Sequence, residues 1–506
     1  MQASPDRRAG GKLVVSRTVC AHLAPMPVSS AYWPDPQVPK LGPEFADPVQ
    51  PARFPETILR FRNDRAAATV GLDTLTDAEW IAHFGRFEPL PDNISPPLAM
   101  RYHGHQFRVY NPELGDGRGF LFAQLREAPR SNGGPGRLLD LGTKGSGQTP
   151  WSRTADGRLT LKGGLREVLA TAMLEALGVP TSRSFSLIET GEPLERGDEP
   201  SPTRSSVLTR LSHSHIRFGS FQRHAFFEQP ERVTVLIDHV VDNYYPELQG
   251  ANDRAAALLN VVVARTARLV ARWMAAGFVH GVLNTDNMSL TGESFDYGPY
   301  RFLPRSDPGF TAAYFDQTGL YAFGRQPEAV FWNLQQLAGC FSLVTGSDAL
   351  VEALKLFGPA YQRELVAAML ERLGLRTRGE VADVALVQAA FRALAEGGEA
   401  LRWEPFFFDW FCKDEARALA GPRAGLYAGE AFVLFRDLLA DHQADRPERL
   451  ADPYFARSEP EELLYDEIEA IWAPTTEADD WSRFEAKLTS IEKARRAWGL
   501  TPQGPA

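Results

Sequence analysis

A group of polar side chains near the middle of the chain has the residue types of a metal-dependent active site. His280, Asp286 and Asn287 lie within one short stretch, and Asp296 follows after residues 288–295 (MSLTGESF). Residues 288–295 predict a short hairpin with Thr291-Gly292 at its tip, which would let the Asn287 amide oxygen and the Asp296 carboxylate converge on one Mg²⁺. This cation takes oxygen ligands and shares its remaining positions with phosphates and water. Two acids, an Asn, a His and two glycines around one turn have little packing purpose, so the stretch predicts a site for a metal and a phosphate.

The spacing of these residues matches a protein-kinase catalytic loop with one part replaced. In kinases an Asp two residues after the loop His is the base, an Asn seven after it binds metal, and Asp-Phe-Gly supplies a second metal ligand. Here Asn287 stands seven after His280 and Asp296-Tyr297-Gly298 replaces Asp-Phe-Gly, but Val282 occupies the base position. The pattern therefore indicates either a protein that binds ATP without catalysis or an enzyme with different chemistry. A small-molecule kinase fits less well, because those enzymes read His-Gly-Asp where this chain has Val282.

Predicted elements upstream would bring phosphate-binding groups to this site. A glycine-rich turn at residues 115–119 (GDGRG) precedes predicted strands at Phe120–Leu125 and Leu138–Gly142, and the second strand leads to Lys144. This order is typical of the small lobe of a kinase, where the lysine neutralises phosphate charge. Glycines permit positive φ and close approach of backbone amides to a phosphate. An ordinary hairpin turn and a solvated strand end are the alternatives for the turn and for Lys144.

The next helix, predicted over Gly164–Leu177, carries an acidic residue of uncertain orientation. Its apolar residues follow the helical i, i+3, i+4, i+7 spacing, and Gly178 and Pro180 mark its end. Glu167 lies away from the apolar stripe, so periodicity alone favours a solvent-exposed side chain. In a kinase, by contrast, this helix carries a glutamate that pairs with the strand lysine.

Residues 209–221 (TRLSHSHIRFGSF) interleave arginines, histidines and aromatic residues more tightly than any other stretch. We interpret Arg210 and Arg217 as facing phosphates. His213 and His215 are interpreted as structural, because two histidines at i, i+2 without a nearby Cys or carboxylate form a weak metal-ligand set.

The chain divides into three predicted regions by composition. Residues 1–95 are rich in proline and predict an extended arm laid over the core, with one helix capped by Thr76 and Glu79. Residues 96–345 form the predicted nucleotide-binding catalytic core, and residues 346–506 a helical extension. Further predictions are strands at Ser186–Thr190 and Ser206–Leu211, helices at Asp253–Ala276, Ala349–Leu356, Gln362–Leu373, Ala385–Leu394 and Ala431–Leu439, and a solvated helix face at Glu459–Glu469.

Bulk composition narrows the class of partner and compartment. The 506 residues carry a formal net charge of -10, which argues against nucleic acid or an anionic membrane surface as the main partner. No apolar run approaches the roughly 18 residues of a membrane span. Cys20, Cys340 and Cys412 are far apart and fit buried or incidental thiols in a reducing compartment. We expect a cytoplasmic monomer without membrane attachment, with organelle targeting as the alternative location.

Several ordered motifs together resemble the selenoprotein O family of protein adenylyltransferases. They are GHQF (104–107), LGDGRG (114–119), TKGSGQTPWSR (143–153), ADGR (155–158), REVLATAMLEALGVPTSR (166–183), HSHIRFGSF (213–221), HGVLNTDNMS (280–289) and FDYGP (295–299). The resemblance implies an α+β, protein-kinase-like bilobal fold, with a small β-rich N-lobe and a larger helical C-lobe. It also implies transfer of AMP from ATP to Ser, Thr or Tyr hydroxyls of other proteins, with ATP bound flipped relative to a kinase.

The resemblance also implies roles for residues that match the family motifs. It makes Asp286 the general base, and Lys144 and its partner Glu167 part of the catalytic set. Asn287 and Asp296 would bind Mg²⁺, or Mn²⁺ in its place. The implied nucleotide contacts are Gly115, Gly117, Arg118, Lys144, Asp156, Gly157, Arg210, Arg217 and Asp296. The chain departs from the family in carrying Arg108 where the GHQFG motif has glycine, and in lacking a Cys or selenocysteine in its last residues, 501–506.

Overall fold

The computed structural model describes residues 29–129, 135–197 and 199–500. Predictions for Cys20, for the first 28 residues, for most of the turn at 131–136 and for the tail 501–506 lie outside these residues. The strands are β1 (Ala46–Pro48), β2 (Ile58–Arg62), β3 (Leu98–Met100), β4 (Gly104–Gln106), β5 (Val109–Asn111), β6 (Leu121–Arg126), β7 (Leu138–Lys144), β8 (Leu159–Thr160), β9 (Arg183–Leu194), β10 (Thr203–Ser212), β11 (Phe278–Val279) and β12 (Arg301–Phe302).

The α helices are α1 (Asp64–Ala68), α2 (Asp77–Phe84), α3 (Leu161–Ala176), α4 (Phe218–Phe226), α5 (Pro230–Tyr244), α6 (Arg254–Ala275), α7 (Gln326–Phe341), α8 (Ser347–Lys355), α9 (Phe357–Arg372), α10 (Glu380–Gly397), α11 (Trp403–Trp410), α12 (Glu415–Ala420), α13 (Glu430–Ala440), α14 (Tyr465–Ala478) and α15 (Ser482–Trp498). An antiparallel sheet in the first half and helices through most of the second half give the chain an α+β organisation. The helices expected after residue 345 are confirmed, with ends that differ by a few residues.

The main sheet has eight strands in the order β1-β3-β6-β7-β10-β9-β2, and β8 pairs with β10. All of these pairings are antiparallel. The proline-rich first region supplies β1 and β2, which lie at the two edges of the sheet. Pro48 ends the edge strand β1, a position where proline removes no hydrogen bond from the sheet interior.

Both faces of the sheet are covered, which explains why β7 carries apolar residues on both of its faces. All seven residues of β7 are buried. Leu139 and Leu141 pack with the aromatic residues of the first region, including Trp80, whereas Leu138 packs in the larger core with α3. Because side chains alternate across a strand, this arrangement requires apolar residues at successive positions. This interior strand ends at Lys144.

Side-chain caps define the starts of α2, α3 and α6. In α2, Thr76 and Glu79 form the predicted capping box. The hydroxyl of Thr160 accepts a 3.1 Å hydrogen bond from the Gly163 peptide N–H at the start of α3. The Asp253 carboxylate likewise accepts one of 2.9 Å from the Ala256 peptide N–H and begins α6. Each cap satisfies a peptide N–H that the helix itself leaves without a partner.

The periodicity interpretation of Glu167 as solvent-exposed is wrong. Glu167 is only 2% exposed, and Leu174, two turns further along α3, is also buried. Helix α3 is buried on nearly all sides, because it packs against the sheet on one side and faces Lys144 and α15 on others. An apolar stripe identifies only the side that contacts the apolar core, so it misses a buried charged side.

The predicted hairpin at Met288–Phe295 is not formed. Ser289 makes an isolated antiparallel bridge with Arg217, and Ser294 makes a parallel one with Thr181. The two arms therefore pair with separate segments instead of with each other. Asn287 and Asp296 are still joined by a tight turn, in which the Gly292 peptide N–H donates to the Ser289 carbonyl at 3.4 Å.

The acidic run at Glu459–Glu469 is not the predicted solvated helix face. Helix α14 begins only at Tyr465, and the residues before it are not helical. Glu461 is buried and forms a 2.5 Å ion pair with Lys487. Glu462 pairs with Arg402. The first part of the run is therefore a charged connection within the helical region.

Two further expectations concern thiols and membranes. Cys340 and Cys412 are free and buried, as predicted for incidental thiols. Burial raises the pKa of Cys340 to about 12. Across the part of the chain that the structure describes, no helix combines the length and apolar character needed to span a bilayer.

Candidate active site

A cavity of about 320 Å³ lies between the glycine-rich turn, the end of β7 and the residues around Asp296. Seven residues predicted from the sequence line it: Gly115, Gly117, Arg118, Lys144, Arg210, Arg217 and Asp296. Glu167 and Asp286 lie behind this lining and contact Lys144 and Arg217, respectively. Positive charge and glycine backbone thus meet in one concave surface, as a phosphate-bearing ligand requires.

Asp156 and Gly157 do not line the cavity. Ala155, the residue before them, does. The Asp156 carboxylate forms a 2.8 Å ion pair with Arg196. Gly157 has φ +71°, and an added Cβ would lie 2.3 Å from the Gly147 carbonyl carbon. The conformation and packing of the chain at this position therefore require glycine.

The glycine-rich turn uses glycine for close packing and not for positive φ. A Cβ on Gly115 would lie 2.3 Å from Cγ of Trp151, and one on Gly119 would lie 2.0 Å from the Thr143 carbonyl oxygen. Neither glycine has a positive φ. The turn does not form the alternative β-hairpin either, since Gly115 bridges to Arg101. The missing side chains let the turn lie directly against the loop that follows Lys144.

Lys144 joins two carboxylates at the inner end of the cavity. Its ammonium group donates to both Glu167 and Asp296, and the Lys144 side chain is only 5% exposed. Arg210 adds a second cation, with Nη1 3.6 Å from Asp296 and 4.0 Å from Glu167. Burial acts to raise the pKa of Asp296, but the charges of Lys144 and Arg210 outweigh it and hold that pKa well below its usual range. Asp296 is therefore ionised, as a metal ligand must be.

Asp116 holds Arg217 in the cavity wall and was missed by the sequence interpretation. Its Oδ1 lies 3.3 Å from Nη2 of Arg217, and its Oδ2 accepts a 3.0 Å hydrogen bond from the Met100 peptide N–H. The guanidinium also lies 4.6 Å from the ring centre of Tyr102 and 4.9 Å from that of Phe295. One sequence feature could have identified it: Asp116 lies inside a glycine-rich turn. A carboxylate buried in such a turn needs a cation as its partner.

Asp286 is a buried carboxylate in a single 3-10 turn, Thr285–Asn287. Its Oδ1 has no hydrogen-bond partner among residues 29–129, 135–197 and 199–500. Burial raises the pKa of Asp286 to about 6, against the opposing charge of Arg217. Gly104 of β4 covers the carboxylate, since a Cβ there would lie 3.1 Å from Oδ1. A buried carboxylate oxygen without a hydrogen-bond partner is costly, which makes Asp286 a candidate functional group.

His280 supports the loop from within the core. It is fully buried, and its Nε2 lies 3.0 Å from the Phe295 carbonyl oxygen. The His280 peptide N–H donates to the Gln326 side chain at 3.0 Å. Burial lowers the pKa of His280, so the neutral ring donates to Phe295 and ties the loop to the residue before Asp296.

The residues predicted to bind a metal have the right donor atoms for a hard cation. The Asn287 amide nitrogen donates to the Val282 carbonyl at 3.0 Å, which leaves the amide oxygen available as a ligand. With Asp296 it offers two oxygen donors, which fits Mg²⁺ when phosphates and water complete the shell. Within the described ranges, no group of three or more His, Cys, Asp or Glu side chains is placed to hold a metal. A cation bound here would therefore depend on the phosphates for much of its coordination.

His213 and His215 take part in packing. The His215 peptide N–H donates to Asp140 at 2.8 Å, and a Cβ on Gly142 would lie 2.0 Å from the His215 ring. The His213 peptide N–H donates to Glu293 at 2.7 Å. These contacts agree with the interpretation of both histidines as structural.

Comparisons with known proteins find related sequences over most of the chain. A family model described as "Protein adenylyltransferase SelO" matches residues 30–492. A protein from Gloeobacter violaceus named "Protein nucleotidyltransferase YdiU" is 47% identical over 471 residues, which cover 91% of this chain and 95% of that protein. Proteins of the same name from Synechocystis sp. (54% identical, 67% of this chain and 70% of that protein) and Synechococcus elongatus (44% identical, 90% and 94%) are also similar.

Proposed function

The chain belongs to the SelO family of protein adenylyltransferases, and on this premise we propose that it transfers AMP from ATP to Ser, Thr or Tyr hydroxyls of other proteins. One observation supports the proposal most directly. Asp286 is a buried carboxylate whose Oδ1 has no hydrogen-bond partner among the described residues, and it lies beside Arg217 and directly before Asn287. Val282, at the usual kinase position, cannot accept a proton. A base displaced in this way suits a kinase-like bilobal fold in which ATP is inverted and the α-phosphate faces the acceptor.

In the proposed reaction the acceptor oxygen forms a bond to the α-phosphorus. The bond from that phosphorus to the oxygen bridging to the β-phosphate breaks, and pyrophosphate leaves with its electron pair. The hydroxyl proton passes to a carboxylate oxygen of Asp286. Phosphoryl and nucleotidyl transfer depend mainly on positioning and charge neutralisation, so one nearby base and fixed cations suffice.

The cations that line the cavity would hold the phosphates. Lys144, Arg210 and Arg217 are each at most about 6% exposed in their side chains, so their charges act in a poorly solvated environment. Glu167 orients Lys144. Further nucleotide contacts are proposed for Gly115, Gly117 and Arg118, which line the cavity, and for Asp156 and Gly157 next to Ala155.

Asn287 and Asp296 would hold Mg²⁺, or Mn²⁺ in its place. When bound, such an ion neutralises phosphate charge and helps to orient the nucleotide. Asp296 is kept ionised for this by Lys144 and Arg210.

The position of a radioactive label in ATP tests the proposed transfer. The protein is incubated with a bacterial lysate and Mg²⁺ plus ATP labelled on either the α- or the γ-phosphate. Protein-bound label is expected from α-labelled ATP only. Label from γ-labelled ATP alone would mean that the protein is an unorthodox kinase and would contradict the proposal.

Asp286→Asn tests the proposed base in the same assay. The variant is expected to bind ATP with unchanged affinity and to lose about 10²- to 10⁴-fold in transfer rate, the usual contribution of a general base. Asp348→Asn, an exposed acid in α8, is the matched control and should transfer normally. Full transfer by Asp286→Asn would reject Asp286 as the base without rejecting adenylyl transfer.

A further inference from the structure

The cavity proposed to bind ATP is called the nucleotide cavity below. A second cavity of about 320 Å³ shares no lining residue with it. It is enclosed by the C-terminal ends of α3 and α15, one side of α6 and the turn that contains Gly292. Six arginines line it: Arg65, Arg137, Arg183, Arg265, Arg268 and Arg495. Among the residues that the structure describes, two acids also line it, Glu175 and Glu293. So many cations in one concavity contrast with the formal net charge of -10 of the whole chain.

Four of the six arginines have carboxylate partners within hydrogen-bond distance. Arg65 pairs with Glu175, Arg137 and Arg183 share Glu127, and Arg495 pairs with Glu492. Glu293 is also engaged, because its Oε2 accepts the His213 peptide N–H and its Oε1 lies 3.7 Å from Arg137. These groups form a nearly neutral frame around the cavity.

Arg265 and Arg268 differ from the other four. They lie one turn apart on α6, and their nearest carboxylate oxygens, from Glu247 and Glu364, are each 3.8 Å away. That distance is too long for a hydrogen bond. Arg265 Nη1 and Arg268 Nε are buried and have no hydrogen-bond partner in the described part of the chain. Each guanidinium group therefore keeps one donor nitrogen that the described protein atoms leave unused, and the Arg265 group also lies 4.2 Å from the ring centre of Tyr245.

Unsatisfied buried donors on a cation are costly unless a ligand or ion meets them. The planar guanidinium fork matches the oxygens of a phosphate group. Thr181, Ser212 and Thr291 add hydroxyl groups to the lining. The volume is within the range of small-molecule sites.

We propose that the arginine cavity, lined by Arg265, Arg268 and the four paired arginines, is a second binding site for a small phosphate-bearing anion. The anion would accept hydrogen bonds from Arg265 and Arg268 and would be surrounded by the paired arginines. The site is separate from the nucleotide cavity, although Leu211, Ser212 and His213, which line it, directly follow Arg210 of that cavity. The proposal concerns binding and does not depend on the transfer reaction.

Calorimetric titration of the whole protein with inorganic pyrophosphate, and separately with inorganic phosphate, tests this site in the absence of ATP. Arg265→Gln and Arg268→Gln should each weaken binding at the arginine cavity by about tenfold to a hundredfold, the usual effect of losing a charged hydrogen bond. Arg210→Gln should leave that binding unchanged and should weaken only binding at the nucleotide cavity. Arg254→Gln, on the same helix but outside both cavities, is the matched control and should bind like the unmodified protein.

The unmodified protein, Arg210→Gln and Arg268→Gln together locate the bound anion. Loss of all binding in Arg210→Gln, with normal binding in Arg265→Gln and Arg268→Gln, would place the anion only in the nucleotide cavity and overturn the proposal. An unmodified protein that binds neither anion at millimolar concentration would also overturn it. Arg268→Lys separates a loss of binding from misfolding. It keeps the charge and should retain more affinity than Arg268→Gln. Unfolding temperatures without anion should be similar for the two Arg268 variants.

Discussion

Nη1 of Arg217 donates a 2.8 Å hydrogen bond to the main-chain carbonyl of Asp286. Arg217 therefore both lines the nucleotide cavity and fixes the backbone of the residue proposed as the base. Nη2 of the same guanidinium lies 3.3 Å from Asp116, so the two ends of the fork hold two different segments together. Arg217 therefore links the cavity wall to the backbone of the proposed base.

We expect Arg217→Lys to lower kcat/KM for adenylyl transfer by about tenfold to a hundredfold, because a charged hydrogen bond typically contributes 1.5–3 kcal/mol. A lysine keeps the charge but has one ammonium group, which cannot reach Asp286 and Asp116 together. Initial rates over a range of ATP concentrations measure the change. Arg254→Lys is the control on an unrelated ion pair and should be unaffected. An Arg217→Lys protein with normal kcat/KM would show that charge alone is needed.

Gly104→Ala is expected to lower kcat by about tenfold with little change in ATP affinity, since small displacements of reacting groups slow catalysis strongly. The added Cβ would lie 3.1 Å from Asp286 Oδ1 and 3.1 Å from Leu114 Cδ1. One of these neighbours must move by a few tenths of an ångström. Gly358→Ala in α9 is the matched control, because a Cβ there meets nothing within 4 Å. Normal kcat in Gly104→Ala would mean that Leu114 gives way and Asp286 does not.

Local sequence signals predicted the elements around the site well. The capping residues of α2, the leucines of β7 and the periodicity of α6 each depend on neighbours in sequence, and the structure confirms all three elements. The sequence motifs also identified four residues that line one cavity: Lys144, Arg210, Arg217 and Asp296.

Contacts between segments that are distant in sequence could not be predicted in the same way. Glu167 is buried because Lys144, on another element, faces it, and periodicity within α3 carries no information on that contact. The arms of the expected hairpin pair with Arg217 and Thr181, which no pattern within Met288–Phe295 can show. Asp116 was missed for the same reason, since its partner lies 101 residues further along the chain.

Glu462 should make stability depend on pH in the neutral range. Burial raises its pKa to about 7, against the opposing charge of Arg402, and its Oε1 is buried with no hydrogen-bond partner in the described chain. The folded protein therefore binds more protons than the unfolded chain between about pH 4.5 and pH 7, so this group lowers stability as pH rises through that window. The full effect is on the order of 3 kcal/mol.

We expect Glu462→Gln to remove most of this decrease, although the variant also loses the charge that pairs with Arg402. Urea unfolding at a series of pH values gives the free energy of unfolding of the variant relative to the unmodified protein. That difference should favour the variant increasingly from about pH 4.5 to pH 7 and then level off. Glu477→Gln, an exposed acid of α14, is the control and should show no such trend. A constant difference across the window would contradict the assignment.

Glu167→Gln should raise the Mg²⁺ concentration needed for half-maximal transfer by about tenfold, the effect of weakening one charged contact. Lys144 contacts both Glu167 and Asp296, so the two carboxylates share one ammonium group. A metal ion at Asp296 must compete with Lys144, and the charge of Glu167 draws Lys144 away. Without that charge Lys144 stays with Asp296, and the cation binds more weakly. Glu175→Gln, on the same helix and also ion-paired, is the control and should keep the normal Mg²⁺ requirement. A normal requirement in Glu167→Gln, combined with weaker ATP binding, would instead mean that Glu167 acts only by orienting Lys144 toward the phosphates.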